Sequence, residues 1–398
     1  MKLRNAKRVL AAAMISVMAL SLAACGGKGE DSSKEEAKKE ETSKTDVERP
    51  EAVSEEDWEA MQKEPVFGKE INYLYNGGTC VSAVYTAEEQ GYYQEYGINA
   101  TFMEGESVTN TVGTGQCQWG TDHIATNLVP VTNNVKITFV AGAHIGCKSI
   151  FVPKDSPIQT AADLKGKKIA IHDGIGNSDY NICSRLLDKA GVNPTEDVEF
   201  LDISDSAATV ASLENGEVDA SIFSDYFVIA KYKDELRMIT SITYDEDFKA
   251  EPCCVTCMNT DFIKKNPIHA KYATMAIKRA GEYNRLHCEE ALQMMYDNNK
   301  ITGEMENQHA FWDSLHFGLS DQFTETALRE IVDDYLRLGL ISRKDLSTDE
   351  IMDMAWTNVC PDEEMPEGYT VGDPVEPKNA VVPIKQVENP ATIEGFGK

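Results

Sequence analysis

Positive charge is the scarcest resource of this chain: 38 Lys and Arg face 66 Asp and Glu, a formal charge of −28 over 398 residues. So negative a surface repels nucleic acid and anionic headgroups, which excludes polyanionic partners. Catalytic signatures are missing as well. The sequence contains no Gly-x-Ser-x-Gly elbow, no His-Glu-x-x-His helix and no local carboxylate pair of the glycosidase kind. Gly174-Ile175-Gly176-Asn177-Ser178 lacks both the third glycine of a dinucleotide fingerprint and the Lys-Ser/Thr of a P-loop. No short-period repeat is visible, and after the N-terminal segment no apolar run approaches the ~20 residues that span a bilayer.

That N-terminal segment is itself informative. Lys2, Arg4, Lys7 and Arg8 precede an apolar run from Val9 to Leu20, then Leu22-Ala23-Ala24-Cys25 and two glycines. Small residues immediately before a cysteine follow the bacterial lipoprotein pattern, with residues 1–24 as signal peptide and Cys25 as the lipid-bearing N-terminus. The expectation is an exported, monomeric protein held at the extracytoplasmic face of the cell membrane by its lipid alone. From 26 to 64 the chain carries fourteen acids and seven bases, with little large and apolar beyond Trp58 and Met61. Residues 25–66 therefore read as a solvated acidic tether, with order starting near Pro65-Val66-Phe67.

Ten cysteines become nine once Cys25 is lipidated, an odd number that cannot pair completely within the chain. Strand-like segments at 71–75, 98–103, 117–120, 135–141, 149–152, 168–172, 198–203, 218–223, 236–242 and 253–258 alternate with helix-like ones. From 268 to 345 the pattern is almost wholly helical. The alternation predicts an α/β protein with parallel sheets covered on both faces. Its division is a first lobe over 67–152, a second over 153–247, a helical return to the first over 248–345, and an extension packed on it over 346–398.

Ligands of open α/β sheets sit beyond the carboxyl ends of the strands. Five turns fall there: Gly77-Gly78-Thr79-Cys80, Gly120-Thr121-Asp122-His123, His144-Ile145-Gly146-Cys147, Gly174 to Ser178, and Ser224-Asp225-Tyr226. Nearly all join glycine to a small polar residue before a helix, which points backbone N–H groups at a polar or anionic solute. Ser178 is equally an N-cap. His144 with Cys147 could be a nucleophile and base or half a metal site, although a loop histidine beside a buried thiol is the simpler reading. In Cys253-Cys254-Val255-Thr256-Cys257, strand alternation places Cys253, Val255 and Cys257 on one face and Cys254 on the other, which favours core packing over a metal pair. No catalytic residue, metal ligand or cofactor is assigned.

Tyr73-Leu74-Tyr75-Asn76-Gly77, and Glu88-Glu89-Gln90-Gly91-Tyr92-Tyr93-Gln94-Glu95-Tyr96-Gly97-Ile98 after it, resemble the opening of the nitrate/sulfonate/taurine-type solute-binding proteins, relatives in fold of the thiamine-pyrimidine synthases. Ala162 to Ile171 and Leu213 to Ala220 are similar to the second lobe of that family. The resemblance implies a type II periplasmic-binding-protein fold, two α/β lobes hinged over a cleft, and a lipoprotein that serves the permease and ATPase of an ABC importer in a Gram-positive cell. It is not an enzyme family in that branch. By position the ligand contacts would be Gly78, Thr79, Cys80, Thr121, Asp122, His144, Cys147, Gly176, Asn177, Ser178, Asp225 and Tyr226. The ligand would be a small polar organic molecule or anion of the sulfonate, nitrate, taurine or pyrimidine kind. Thr79-Cys80 replaces the commoner Ala-Pro, leaving ligand identity open. The alternative is a metal-dependent or pyrimidine synthase-like protein using His144 and Cys253, Cys254 and Cys257; the synthases carry a similar cysteine run, which Val255 interrupts here.

Overall fold

The computed structural model of the protein describes residues 48–374. The signal peptide, the lipid site at Cys25 and the end of the C-terminal extension lie outside the described residues. Order begins earlier than composition suggests. Ser54 caps α1 (Glu55–Met61), accepting the Asp57 N–H at 3.1 Å, and the acids of the first turn suit the positive end of the helix. Trp58 and Met61 are buried, and Trp58 meets Phe67 edge-on at 5.3 Å. The tether expected to reach residue 66 is therefore folded chain from 48 onward. Two apolar side chains are too few to lift the average of an acidic window, yet enough to seat one short helix.

The first lobe contains β1 (Glu70–Leu74), α2 (Ala83–Glu89), α3 (Tyr92–Glu95), β2 (Asn99–Met103), α4 (Val108–Thr111), β3 (Trp119–His123), α5 (Ile124–Thr132) and β4 (Ile137–Ile145). The second contains β5 (Lys148–Pro153), β6 (Lys168–Ile171), α6 (Ser178–Lys189), β7 (Glu199–Asp202), α7 (Ser206–Glu214), β8 (Ala220–Ser224), α8 (Asp225–Lys231) and β9 (Leu236–Ser241). The chain returns through β10 (Pro252–Asn259), α9 (Thr260–Lys265), α10 (Pro267–Leu286), α11 (Cys288–Asp297), α12 (Met305–Trp312), α13 (Asp321–Leu338) and α14 (Thr348–Ala355).

In the first lobe β1 and β2 run parallel, and the Gln118 N–H donates to the Asn72 carbonyl at 2.8 Å, bringing the approach to β3 alongside β1. Beyond it β10 lies between β3 and β4, antiparallel to both. The second sheet has the order β7-β6-β8-β5-β9, with β6 parallel to β7 and β8 but β5 antiparallel to β8 and β9. The sheets are thus mixed, where helix–strand alternation predicted parallel ones. The chain crosses between lobes twice, after β4 and after β9. Each crossing delivers a strand that enters its sheet from the hinge end, opposite in direction to the strands built by helical crossovers.

Packing holds the return helices on the first lobe. Asn284 of α10 bridges the Ser82 and Thr86 hydroxyls at 3.0 and 2.9 Å, so the buried amide is matched by buried partners. Tyr73 stacks on Trp119 with centroids 6.1 Å apart, and the Trp119 N–H donates to the Tyr93 hydroxyl at 3.0 Å. Lys278, buried, is neutralised by Asp321 at 2.6 Å and Asp362 at 2.9 Å, pinning the chain after α14 to α10. Two element boundaries differ from those expected. Strand β3 runs through Gly120–His123 and β4 through His144–Ile145, so residues expected in turns belong to strands.

Candidate functional site

The hinge is where the unusual chemistry gathers. At the first crossing Gly146 and Cys147 are both left-handed, with φ of 83° and 92°. A Cβ on Gly146 would sit 2.8 Å from the Thr243 methyl, so glycine is required there. Cys147 has no such excuse and costs about 1–2 kcal/mol of backbone strain. Its conformation is fixed from the second crossing: its N–H donates to the Thr243 hydroxyl at 3.0 Å, and that hydroxyl donates to Asp225 at 2.9 Å. The Asp225 N–H in turn donates to the Cys147 carbonyl at 3.0 Å. The crossings and the start of α8 form one hydrogen-bonded unit.

The second crossing brings Cys253 and Cys254. Register breaks between Pro252 and Cys254 and again before Val255 rotate the strand here. Strict alternation therefore fails: Cys253 and Cys254 belong to one packed cluster, Val255 and Cys257 to another. Cys147 Sγ lies 3.3 Å from Cys253 Sγ and 3.3 Å from His123 Nε2. The donor atoms of His123, Cys147, Cys253 and Cys254 all lie within 4.8 Å of one another. All nine cysteines of the described residues are free thiols. Burial alone would neutralise His123, but the sulfurs of Cys253 and Cys147 and the Asp122 carboxylate overcome it and hold its pKa well above the usual range. Burial likewise opposes ionisation of Cys253, yet hydrogen bonds from Cys147 and Cys254 and the charge of His123 bring it well below the usual thiol value.

The residues expected from sequence divide into three groups. Cys80, Asp122, His144, Cys147 and Asp225 surround this hinge floor. Burial, and next the nearby Cys147, push the Cys80 thiol up to about 12. Asp122 accepts the His123 N–H at 2.7 Å and the Asn127 amide at 3.0 Å; despite burial, His123 keeps its carboxyl below the ordinary range. Asp225 is raised to about 7, chiefly by burial and then by Cys147, against the hydroxyls of Ser149 and Thr243. His144 is fully buried on β4, its Nδ1 2.7 Å from the Ile145 carbonyl and its Nε2 without a hydrogen-bond partner. Burial lowers its pKa, so it is neutral. His144 is a strand residue and not the loop histidine expected, and the imidazole that meets Cys147 is that of His123. Thr121 pairs with Thr256 inside the sheet, its hydroxyl buried and unpartnered.

A second group joins the lobes above. The Thr79 hydroxyl donates to Gln308 Oε1 at 2.7 Å, Gln308 Nε2 donates to the Tyr226 hydroxyl at 2.8 Å, and Tyr226 donates to the Thr302 carbonyl at 2.8 Å. The Gly78 N–H is already used, donating to the Lys300 carbonyl at 3.0 Å. The third group, Gly176, Asn177 and Ser178, sits on the neck of the second lobe. Asn177 rather than Ser178 occupies the N-cap position of α6. Ser178 donates to Asp173 at 2.7 Å and accepts from Lys148 at 2.9 Å. Lys148 is ion-paired with Asp179, whose other oxygen lies 2.8 Å from His172 Nδ1. The Asn181 amide donates to Gly176 and, across the lobes, to Ala125, each at 2.9 Å.

Arg185 of α6 completes the interlobe contact with two hydrogen bonds to Glu251, at 2.7 and 2.9 Å, and two to Asp334 of α13, at 3.1 and 2.9 Å. A cavity of about 30 Å³, room for little more than water, lies between this arginine, Phe248 and Cys253. Asn181, Gln308 and Arg185 thus tie the lobes to one another. His123, Lys148, Asp179, Thr243 and Gln308 were not among the expected site residues. His123 had a signal, standing beside Asp122 at the end of an expected corner; Gln308, 229 residues from Thr79, had none.

Residues 79–291, more than half of the chain, match the model of the family described as NMT1/THI5 like. The chain belongs to the NMT1/THI5-like family. A stretch of 95 residues is 35% identical to an Escherichia coli (strain K12) protein named for binding aliphatic sulfonates, covering 23% of this chain and 27% of that protein. The chain thus spans about a quarter of that relative's length. Among solved structures, the alkanesulfonate-binding protein SsuA from Xanthomonas axonopodis pv. citri, bound to MOPS, superposes with a TM-score of 0.58 at 17% identity, over 74% of this chain and 99% of SsuA. The periplasmic nitrate-binding protein NrtA from Synechocystis PCC 6803 gives 0.56 at 14% identity, over 75% and 90%. At such identities these likenesses show the fold: this NMT1/THI5-like protein is a two-lobed periplasmic-binding-protein fold.

Proposed function

We propose that this protein is the extracytoplasmic solute-binding lipoprotein of an ABC importer, anchored through Cys25 and working as a monomer. Elements β1–β4 and β10–α14 form one jaw and β5–β9 the other, the first crossing falling after Ile145 and not at the expected residue 152. They close on a small polar organic molecule or anion of the sulfonate, nitrate, taurine or pyrimidine class and deliver it to the permease and ATPase. The observation that carries this reading is convergence. Asp122 and His144 from the first lobe, Asp225 from the second and Cys147 from the crossing meet at one hinge floor, while Thr79 and Tyr226 meet through Gln308 above it. Closure strips water from these groups, so each hydrogen bond to a solute counts for more than at an open surface. A solute drives closure only by binding the closed state more tightly than the open one.

Of the remaining expected contacts, Cys80 and Thr121 belong to the same floor in this reading, while Gly78, Gly176, Asn177 and Ser178 hold the surrounding chain in place. The test is thermal unfolding of the protein against a panel of sulfonates, inorganic oxyanions, pyrimidines and aromatic acids. A true solute at 100 times its Kd adds about 2.7 kcal/mol and raises Tm. Tyr226→Phe should weaken that shift without abolishing it. No shift from any member of the panel would refute binding of these classes.

A further inference from the structure

We propose that His123, Cys147, Cys253 and Cys254 form a metal site at the hinge floor, a Cys₃His set that takes one thiophilic, tetrahedral divalent ion of the Zn²⁺ kind. This goes beyond the solute-binding reading and stands without it.

Four independent features support the assignment. The first is size. Metal–sulfur bonds of about 2.3 Å and metal–nitrogen bonds of about 2.0 Å define a tetrahedron with edges of about 3.5–3.8 Å. The observed donor separations, 3.3 Å for two of them and none above 4.8 Å, bracket that figure. Ligation needs only side-chain adjustment. The second is the orientation of the imidazole. His123 Nδ1 lies 3.4 Å from Asp122 Oδ1, while Nε2 faces Cys147 Sγ. A carboxylate behind a histidine fixes its tautomer and aims the other nitrogen's lone pair outward, the arrangement found behind metal-ligating histidines. Asp122 is itself held by Asn127.

The third feature is the backbone. Packing a small thiol into a core requires neither a left-handed cysteine nor a register break. Here Cys147 is held at φ 92°, and the break beside Cys254 puts two successive cysteines on one side of a strand. The fourth is donor chemistry. Three sulfurs and one imidazole suit zinc-like ions and are poor ligands for Mg²⁺ or Ca²⁺, which require oxygen. Binding would exchange thiol protons for the ion, the usual coupling at thiolate sites. The ligands belong to the tip of β3 and to both crossings, so one ion would tie the two hinge segments to the first lobe.

The experiment uses the purified protein, prepared without oxygen or chelators. Metal analysis should find one zinc-class ion per chain. Exchange for Co²⁺ should give near-ultraviolet thiolate-to-cobalt absorption and visible bands of tetrahedral intensity. Cys254→Ser and His123→Ala should each lose the thiolate or imidazole contribution to that spectrum. Asp122→Asn should weaken metal binding about 10- to 100-fold while keeping the spectrum. Cys257→Ala, which alters the other face of β10, should bind as the unmodified protein does. The spectrum of the unmodified protein is decisive even if a variant fails to fold. Absence of a stoichiometric ion together with no tetrahedral cobalt spectrum would overturn the proposal. So would equal loss in Cys257→Ala and Cys254→Ser, or a Cys147–Cys253 disulfide in the protein as isolated. Failure of the solute panel would leave all of these outcomes unchanged.

Discussion

The neck of the second lobe and the floor on the first-lobe side of the hinge are both buried and polar, but they are satisfied differently. At the neck, Lys148, Asp179, Ser178 and Asp173 bond one another and His172 Nδ1 meets Asp179, leaving His172 Nε2 without a partner. At the floor, His144 Nε2 and the Thr121 hydroxyl have no partner, and three sulfurs crowd one imidazole. Self-satisfied groups make a rigid base; unsatisfied ones await something else. The second lobe's glycine loop, where the sequence suggested a ligand cradle, is tied into the neck by Ser178 and Asn181, and the proposed recognition rests on the floor.

Breaking the satisfied side should have the largest consequences. Arg185→Met leaves Glu251 and Asp334 facing each other in a nearly dry interface and should cost about 3–5 kcal/mol by chemical denaturation. Arg337→Ala, at a half-exposed pair with Asp188, should cost less than about 1 kcal/mol. Equal losses would mean that the Arg185 cluster is not a buried latch.

Asp179→Asn should destabilise by about 2–3 kcal/mol at neutral pH, since hydrogen bonds to charged groups are lost and Lys148 stays buried. Burial disfavours the charged Asp179 carboxyl, but Lys148 and His172 hold it well below the ordinary range. A lowered folded pKa contributes stability that is complete above the unfolded value of about 3.9 and disappears as pH falls through the folded one. The variant should show a flatter acid limb when stability is followed from pH 5 downward. An unchanged limb would remove Asp179 from the account.

Smaller changes sharpen the other side. Cys147→Gly should be more stable than Cys147→Ala by about 1–2 kcal/mol, because glycine alone accepts the left-handed backbone without strain. Tyr226→Phe removes two hydrogen bonds across the lobes, from Gln308 and to Thr302, and should cost about 1–2 kcal/mol in unfolding free energy. A larger loss would make this contact part of the fold's foundation instead of a closing latch.

Much of the architecture was readable beforehand. β-Branched runs at 135–141 and 149–152 and glycine-stopped helices at 80–90 and 178–190 located β4, β5, α2 and α6 to within a few residues, since those signals are local. Pro130, a residue that usually ends a helix, stands inside α5, which runs on to Thr132 because a proline in the last turn removes a single N–H. The site was only half readable. Asp122, Cys147 and Asp225 follow from the rule that ligands collect at strand tips. The thiol group as a set does not follow, because it depends on a register break and a left-handed residue that no periodicity encodes.

Sequence alone determined the alternation of strands and helices, the family and the scarcity of positive charge, all of which are properties of neighbouring residues or of sums. Only the tertiary structure decided that β5 and β10 run against their sheets, that His123 and not His144 meets Cys147, and that Cys253 and Cys254 share a side. The physical reason is the double crossing of the hinge. It brings together residues 123, 147 and 253–254 by laying β10 between β3 and β4, with Cys254 opposite His123 and Pro252 opposite Ile145, a register that nothing written next to any of them encodes.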